Sequence, residues 1–155
     1  MKKKIFIIAI ISFLIDQISK IIVSNIFSLN ETRTVIKSFF SLTYIQNTGA
    51  AWGMFEGKTI LLAIISLIFL YFFVKYIIEL KSVNKLSMVS LGLILGGIVG
   101  NLFDRIVNNY VIDFLSFKIF SYNFPVFNLA DTFIVVGIIL IIVETFIEGD
   151  KHVSK

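Results

Sequence analysis

Four long apolar stretches limit the fold of this 155-residue chain more than any other feature. Roughly 20 consecutive apolar residues span the hydrocarbon layer of a bilayer as an α-helix. The stretches run from about residue 5 to 27, 59 to 80, 86 to 107 and 127 to 147. With 57% hydrophobic residues and 17 Phe, the chain has more apolar surface than a soluble core of this size can bury. The sequence therefore predicts an all-α membrane protein, with residues 1–155 forming a single integral-membrane domain of four transmembrane helices.

Basic residues predict the orientation of these helices. Eight of the 14 Lys and Arg residues fall at one set of helix ends: Lys2, Lys3, Lys4, Lys75, Lys81, Lys85, Lys151 and Lys155. The positive-inside rule makes those ends cytoplasmic, so both termini are expected inside, and the loops of about residues 28–58 and 108–126 are expected outside. The net charge of +4 then reports membrane orientation and gives no indication of nucleic-acid binding.

The chain lacks the residues that several kinds of chemistry require. There is no Cys, which excludes disulfides and thiol catalysis. The single His, His152, lies in the C-terminal tail, so the sequence offers neither a His-based metal site nor a catalytic triad. We expect no metal and no cofactor.

Polar residues inside the first apolar stretch need partners. Ser12, Asp16, Lys20 and Ser24 recur every four residues and form one stripe on a helix. Asp16 lies about 17 Å along the axis from the start of the stretch, well inside the apolar layer. We expect Asp16 to pair with Lys20, whose long stem allows its ammonium to reach toward the outer interface. The pair is either a structural ion pair or part of a site at the outer end of the bundle.

The third stretch combines small residues with a polar end. Gly92, Gly96 and Gly100 recur every four residues and predict close packing against another helix. Asn101, Asp104 and Arg105 follow, and their spacing predicts a cluster that satisfies its own charges in a supporting role. An alternative for Arg105 is contact with a lipid phosphate.

Two further aspartates, Asp113 and Asp131, are expected at the outer membrane face. Asp131 follows Asn128 by three residues, which is close to a capping box at the start of the fourth helix, expected near Phe127 after Pro125. Asp113 lies in an apolar local sequence in which Ser116 and Lys118 are weak candidate partners. Two neighbouring carboxyls share one proton, so that one can activate water while the other donates to a carbonyl oxygen. Peptide hydrolysis is the reaction that such a pair suits best.

Five motifs in order resemble the bacterial lipoprotein signal peptidases, also called signal peptidase II. They are Asp16 with Lys20, the segments 47–53 (NTGAAWG), 100–105 (GNLFDR), 111–114 (VIDF) and 127–131 (FNLAD). The resemblance implies that Asp113 and Asp131 are catalytic. It also implies supporting or substrate-binding positions at Asp16, Lys20, Asn47, Gly49, Asn101, Asp104, Arg105, Asn128 and Ala130.

The same resemblance carries expectations about fold and partners. It implies a small extracytoplasmic β-cradle formed by the first loop, and an active site near the outer face of the bacterial cytoplasmic membrane. The substrates would be prolipoproteins whose cysteine carries a diacylglyceryl group, cut just before that cysteine, and globomycin would inhibit. A bundle with one lateral opening to membrane lipid is expected to work as a monomer.

Two other classes of function are weighed against this one. A proton-coupled transporter would use Asp16 and Asp131 as protonation sites, although transport favours carboxylates near the midplane that are reached alternately from both sides. A non-catalytic assembly factor with a polar outer rim is the third interpretation.

Overall fold

The described residues form four long helices and a small sheet. This computed structural model describes residues 2–153, with side chains to residue 147, so that Lys155 and the side chains of Lys151 and His152 lie outside the described part. The helices are α1 (Lys2–Ile26), α2 (Thr59–Glu79), α3 (Lys85–Asn108) and α4 (Leu129–Val153). Each contains a segment long and apolar enough to cross a membrane, which confirms the predicted four-helix membrane protein.

The sheet lies at one end of the bundle, which we call the sheet end. Strands β1 (Thr32–Ile36), β2 (Phe40–Asn47), β3 (Val111–Ile119) and β4 (Tyr122–Asn123) are antiparallel neighbours in that order. The expected small β-cradle is confirmed; the first loop supplies β1 and β2, and the segment between α3 and α4 supplies β3 and β4. The two parts join because β2 exposes an unpaired edge beyond β1, and β3 supplies the missing backbone partners, with Ile45 opposite Asp113 and Asn47 opposite Val111.

Helix α3 lies between α1 and α4 because its small residues allow close approach. A Cβ added to Gly96 would come within 2.6 Å of Ala9 O on α1, and one added to Gly97 within 2.4 Å of Ala130 O on α4. Gly100 has a further neighbour, since a Cβ there would lie 2.5 Å from the carboxylate oxygen Oδ2 of Asp16. The predicted close packing is confirmed, and at Gly100 it also makes room for a buried charge.

Specific hydrogen bonds fix where helices α3 and α4 begin. The side chain of Asn84 caps α3 by accepting from the backbone N–H groups of Leu86 and Ser87. Helix α4 begins at Leu129, two residues later than expected, because Phe127 still pairs with β3: Phe127 N donates to Leu115 O and Leu115 N donates to Phe127 O. This pairing fixes the start of α4 against β3, and therefore fixes Asp131 relative to Asp113.

Candidate active site

Asp113 projects from β3 into a shell of amide donors. The residue is 3% exposed. Asn47 Nδ2, at the end of the neighbouring strand β2, donates to Asp113 Oδ2 at 2.8 Å, and Asn128 Nδ2 donates to Asp113 Oδ1 at 2.7 Å. The suggested partners Ser116 and Lys118 make no hydrogen bond to this carboxyl among the described residues, and the two asparagines take their place.

Asp131 forms the predicted capping box at the start of α4. Asp131 N donates to Asn128 Oδ1 at 3.0 Å, and Asn128 N donates back to Asp131 Oδ2 at 3.2 Å. The other carboxylate oxygen, Oδ1, accepts from Asn101 Nδ2 at 2.7 Å. The capping function therefore occupies only one oxygen, and the carboxyl group is held from two sides in a fixed orientation.

Both carboxyls line one cavity of about 540 Å³. Asn128 touches both of them through different atoms, which joins the strand that carries Asp113 to the helix that carries Asp131. The remaining wall is mainly apolar and includes Phe124, Pro125, Val126, Phe127, Ile134, Val135 and Val136. The arrangement thus combines two acids with a surface that accepts hydrocarbon.

Burial changes the acidity of Asp113. Loss of solvent, followed by the negative charge of Asp131, raises the pKa of the Asp113 carboxyl from 3.8 to about 7. Hydrogen bonds from Asn47 and Asn128 act in the opposite direction but do not cancel the effect. The Asp113 carboxyl therefore keeps its proton up to about neutral pH, well above the range of a solvent-exposed aspartate.

A buried charge cluster lies beneath these carboxyls. Lys20 Nζ is 2.8 Å from Asp16 Oδ2 and 2.9 Å from Asp104 Oδ2, which confirms the predicted pair between Asp16 and Lys20. Two expectations are wrong. Lys20 is 1% exposed and does not reach toward the interface, because its ammonium lies between two carboxylates. Asp104 is not neutralised within its own helical cluster, since its cation is Lys20 of α1.

Two routes connect this buried cluster to the carboxyl pair. Ala130 N, in the first turn of α4, donates to Asp16 Oδ1 at 2.9 Å. Lys20 Nζ donates to Asn101 Oδ1 at 3.1 Å, and Asn101 in turn holds Asp131. The charges therefore fix the start of α4 and the amide that orients Asp131, which makes them positioning groups in this geometry.

Arg105 lies on the cavity wall and is tied to the loop before α2. Its Nη2 donates to Gly49 O at 3.3 Å, while Gly49 N donates to Asn47 Oδ1 at 2.8 Å. A Cβ at Gly49 would come within 2.7 Å of Met54 O, so only glycine fits this turn. Arg105 Nε has no hydrogen-bond partner among the described residues. The guanidinium thus supports the loop that follows Asn47 and adds positive charge near both acids.

Two contacts were not anticipated from the sequence. Gln17 Nε2 donates to Asp104 Oδ1 at 3.0 Å and to Asp16 Oδ2 at 3.2 Å, so this amide completes the buried charge cluster. Its position beside Asp16 in an apolar helix was the available signal. Trp52 Nε1 donates to Tyr122 OH at 2.8 Å, which joins the loop before α2 to the β3–β4 hairpin beside the cavity. No sequence signal links these two residues, which lie 70 positions apart.

The fold and site define a four-helix membrane protein with a small β-cradle and a polar site at the sheet end. A family model described as "Signal peptidase (SPase) II" matches residues 8–147, and the chain belongs to this family. Two solved structures, each described as a bacterial membrane enzyme determined by the in meso method, are similar. One is 33% identical with a TM-score of 0.85, covering 95% of this chain and 90% of the other. The second is 35% identical with a TM-score of 0.81, covering 91% of each chain.

Family membership decides between the classes of function considered from the sequence. It makes the chain a membrane-embedded protease of the kind that cleaves lipoprotein signal peptides, and it favours neither a transporter nor an assembly factor. The surroundings of Asp16 point the same way, because its carboxylate is fully buried and held by Lys20 and Ala130 N. A carboxylate in that environment is poorly placed to exchange protons with both sides of a membrane.

Proposed function

We propose that this signal peptidase is an aspartic endopeptidase whose catalytic residues are Asp113 and Asp131. The observation that carries the proposal is that two carboxyls from different elements line one cavity and are bridged by Asn128. Such a pair shares a proton, and each member can act in its own protonation state. We also propose nine supporting positions that hold the pair in place: Asp16, Lys20, Asn47, Gly49, Asn101, Asp104, Arg105, Asn128 and Ala130.

In the proposed mechanism Asp113 begins protonated and Asp131 ionised. Asp131 accepts a proton from a water molecule, whose oxygen attacks the scissile carbonyl carbon. Asp113 gives its proton to the carbonyl oxygen as the tetrahedral intermediate forms. On collapse of the intermediate, Asp131 gives its proton to the departing amine, the C–N bond breaks, and the hydroxyl proton of the intermediate returns to Asp113, which restores the starting state of the pair. Asn47, Asn101 and Asn128 hold the two acids throughout, which reduces the reorganisation that the reaction requires.

The proposed substrate is a prolipoprotein whose cysteine carries a diacylglyceryl group, and the cut falls just before that cysteine. The support comes from the cavity wall, where Ile134, Val135 and Val136 of α4 extend the site along the membrane-spanning part of the bundle. Acyl chains and an apolar signal peptide match such a wall, and their burial supplies binding energy that positions the scissile bond.

The proposed setting is the bacterial cytoplasmic membrane, with residues 1–155 acting as one peptidase domain and both termini inside. The support is that Lys2, Lys3, Lys4, Lys75, Lys81 and Lys85 all belong to the end of the bundle opposite the sheet. The sheet end and the carboxyl pair then face outward. We further propose that the protein works as a monomer and that globomycin occupies the carboxyl cavity.

A cleavage assay tests the proposal directly. Purified protein in lipid is incubated with a diacylated precursor, with the same precursor lacking the lipid, and with globomycin added. We expect cleavage before the lipidated cysteine, little cleavage without the lipid, and inhibition by globomycin. Cleavage at another position, or equal cleavage of the unlipidated precursor, would contradict the proposed substrate.

The acidity of Asp113 predicts the pH dependence of cleavage. Since its pKa is raised to about 7, raising the pH through that value removes the proton that Asp113 must donate. We expect kcat/KM to fall on the alkaline side with an apparent pKa near 7 that belongs to the pair. The measurement is a profile from acidic to alkaline pH, with the fold followed at each point by circular dichroism. A profile that stays level well above neutrality in folded protein is the result that argues against this role.

A further inference from the structure

A second cavity meets the first one at Asp113. It has a volume of about 310 Å³ and shares with the first cavity a strip of seven lining residues: Asn47, Ala50, Ala51, Trp52, Asp113, Pro125 and Val126. Beyond that strip the walls diverge. The carboxyl of Asp113 can therefore be approached from two directions.

The two directions differ in chemistry. The first cavity continues along α4 past Ile134 and Val135, within the membrane-spanning segment. The second continues past Gln46 and Glu56, at the end of β2 and in the loop before α2. Glu56 and Asp113 are the charged residues among those that line it, and Glu56 is exposed. One cavity thus leads toward hydrocarbon, and the other leads toward water at the sheet end.

A substrate cut at Asp113 extends away from the site in both directions. Its signal peptide is apolar and belongs in the membrane, whereas the chain after the cut belongs in water. Burial in the first cavity is favourable for an apolar segment, because it removes apolar surface from water. A polar segment in the second cavity keeps its hydration and avoids the cost of burial. The two halves of the substrate are therefore expected to occupy different cavities.

We propose that the second cavity binds the polypeptide that follows the scissile bond, and that Glu56 favours a basic side chain within its first few residues. The inference rests on the proposed function and adds a determinant of specificity to it. Charge complementarity carries the preference, because a cationic side chain near Glu56 gains attraction and an anionic one meets repulsion. Because Glu56 is exposed to solvent, its charge is expected to change the preference between substrates by only a modest factor.

The test uses diacylated precursors that differ only at the second and third residues after the lipidated cysteine, which are both Lys, both Gln or both Glu. For the unaltered protein we expect kcat/KM to be about two- to fivefold higher with Lys than with Glu, mostly through KM. Glu56→Gln should remove the preference, and Glu56→Lys should reverse it. High salt should weaken the preference, since an exposed charge is screened, whereas a purely structural role would not respond.

Glu31→Gln is the matched control, because Glu31 is an acid in the same connection between α1 and α2 but pairs with Arg33 and does not line the second cavity. Its preference should equal that of the unaltered protein. Equal preferences in Glu56→Gln and the unaltered protein would overturn the inference while leaving the proposed function intact. If no form of the folded protein cleaves any precursor, the proposed function fails instead, and the inference fails with it.

Discussion

Replacing Asp113 or Asp131 with Asn is expected to lower cleavage of a diacylated precursor by about 10²–10⁴-fold, the usual contribution of a positioned acid or base. Asn is nearly the same shape as Asp but can neither accept a proton from water nor donate one from a carboxyl. The measurement is single-turnover cleavage by purified protein in lipid. Substantial cleavage by either variant would remove the proposed mechanism.

A matched control for these variants lies at the other end of the bundle. Glu79 on α2 is exposed, and its one ion pair among the described residues is long, at 3.9 Å from Lys75. Glu79→Gln removes the same charge without touching the cavity, so its cleavage rate should remain that of the unaltered protein. Equal losses in all three variants would point to a general effect of charge and would contradict a specific role of the pair.

The pH dependence of the free energy of unfolding distinguishes a variant that has lost only its activity from one that has lost its fold. Asp113 has its pKa raised from 3.8 to about 7 by folding, so the folded state binds this proton more tightly than the unfolded state. The resulting stabilisation is complete below about pH 4 and is lost as the pH rises toward 7. Asp113→Asn cannot show this loss. Relative to the unaltered protein, the variant should therefore gain stability between those pH values while remaining inactive at all of them.

The sequence predicted the membrane class because hydrophobic length is a local property. Four apolar stretches of sufficient length identify four spans without any knowledge of how they pack. The capping box of Asn128 and Asp131 was predictable for the same reason, since both partners lie within one turn. Features that depend on a few neighbouring residues could therefore be predicted from the sequence.

Contacts between residues far apart in the sequence were harder to predict. Nothing within β3 specifies that Asp113 receives its hydrogen bonds from Asn47 and Asn128, which are 66 and 15 residues away. The charge cluster illustrates the same limit, since Asp104 was assigned to neighbours on its own helix and instead meets Lys20 of α1. Spacing along α3 identifies residues that share a face, but which residue they meet depends on how the helices pack. The glycines of α3 predicted a close neighbour without saying which charge it brings.

The cluster around Lys20 also gives the largest expected effect on stability. Lys20→Met keeps an unbranched chain of similar length but leaves the buried carboxylates of Asp16 and Asp104 without their shared cation. Breaking a buried pair by removing one partner costs about 3–5 kcal/mol, because the remaining charge has neither water nor a counter-ion. The measurement is the free energy of unfolding in detergent or lipid. Lys75→Met is the matched control, since Lys75 is exposed and its replacement should change stability by about 0–1 kcal/mol.

A second substitution distinguishes lost charge balance from lost packing. Adding Asp104→Asn to Lys20→Met removes one of the two stranded carboxylates, so the double variant should be more stable than Lys20→Met alone. Activity should not recover with stability, because Lys20 also donates to Asn101, the amide that orients Asp131. A double variant no more stable than Lys20→Met would mean that Lys20 acts through its aliphatic stem. A stable double variant with full cleavage would mean that the bond from Lys20 to Asn101 does not position the proposed catalytic pair.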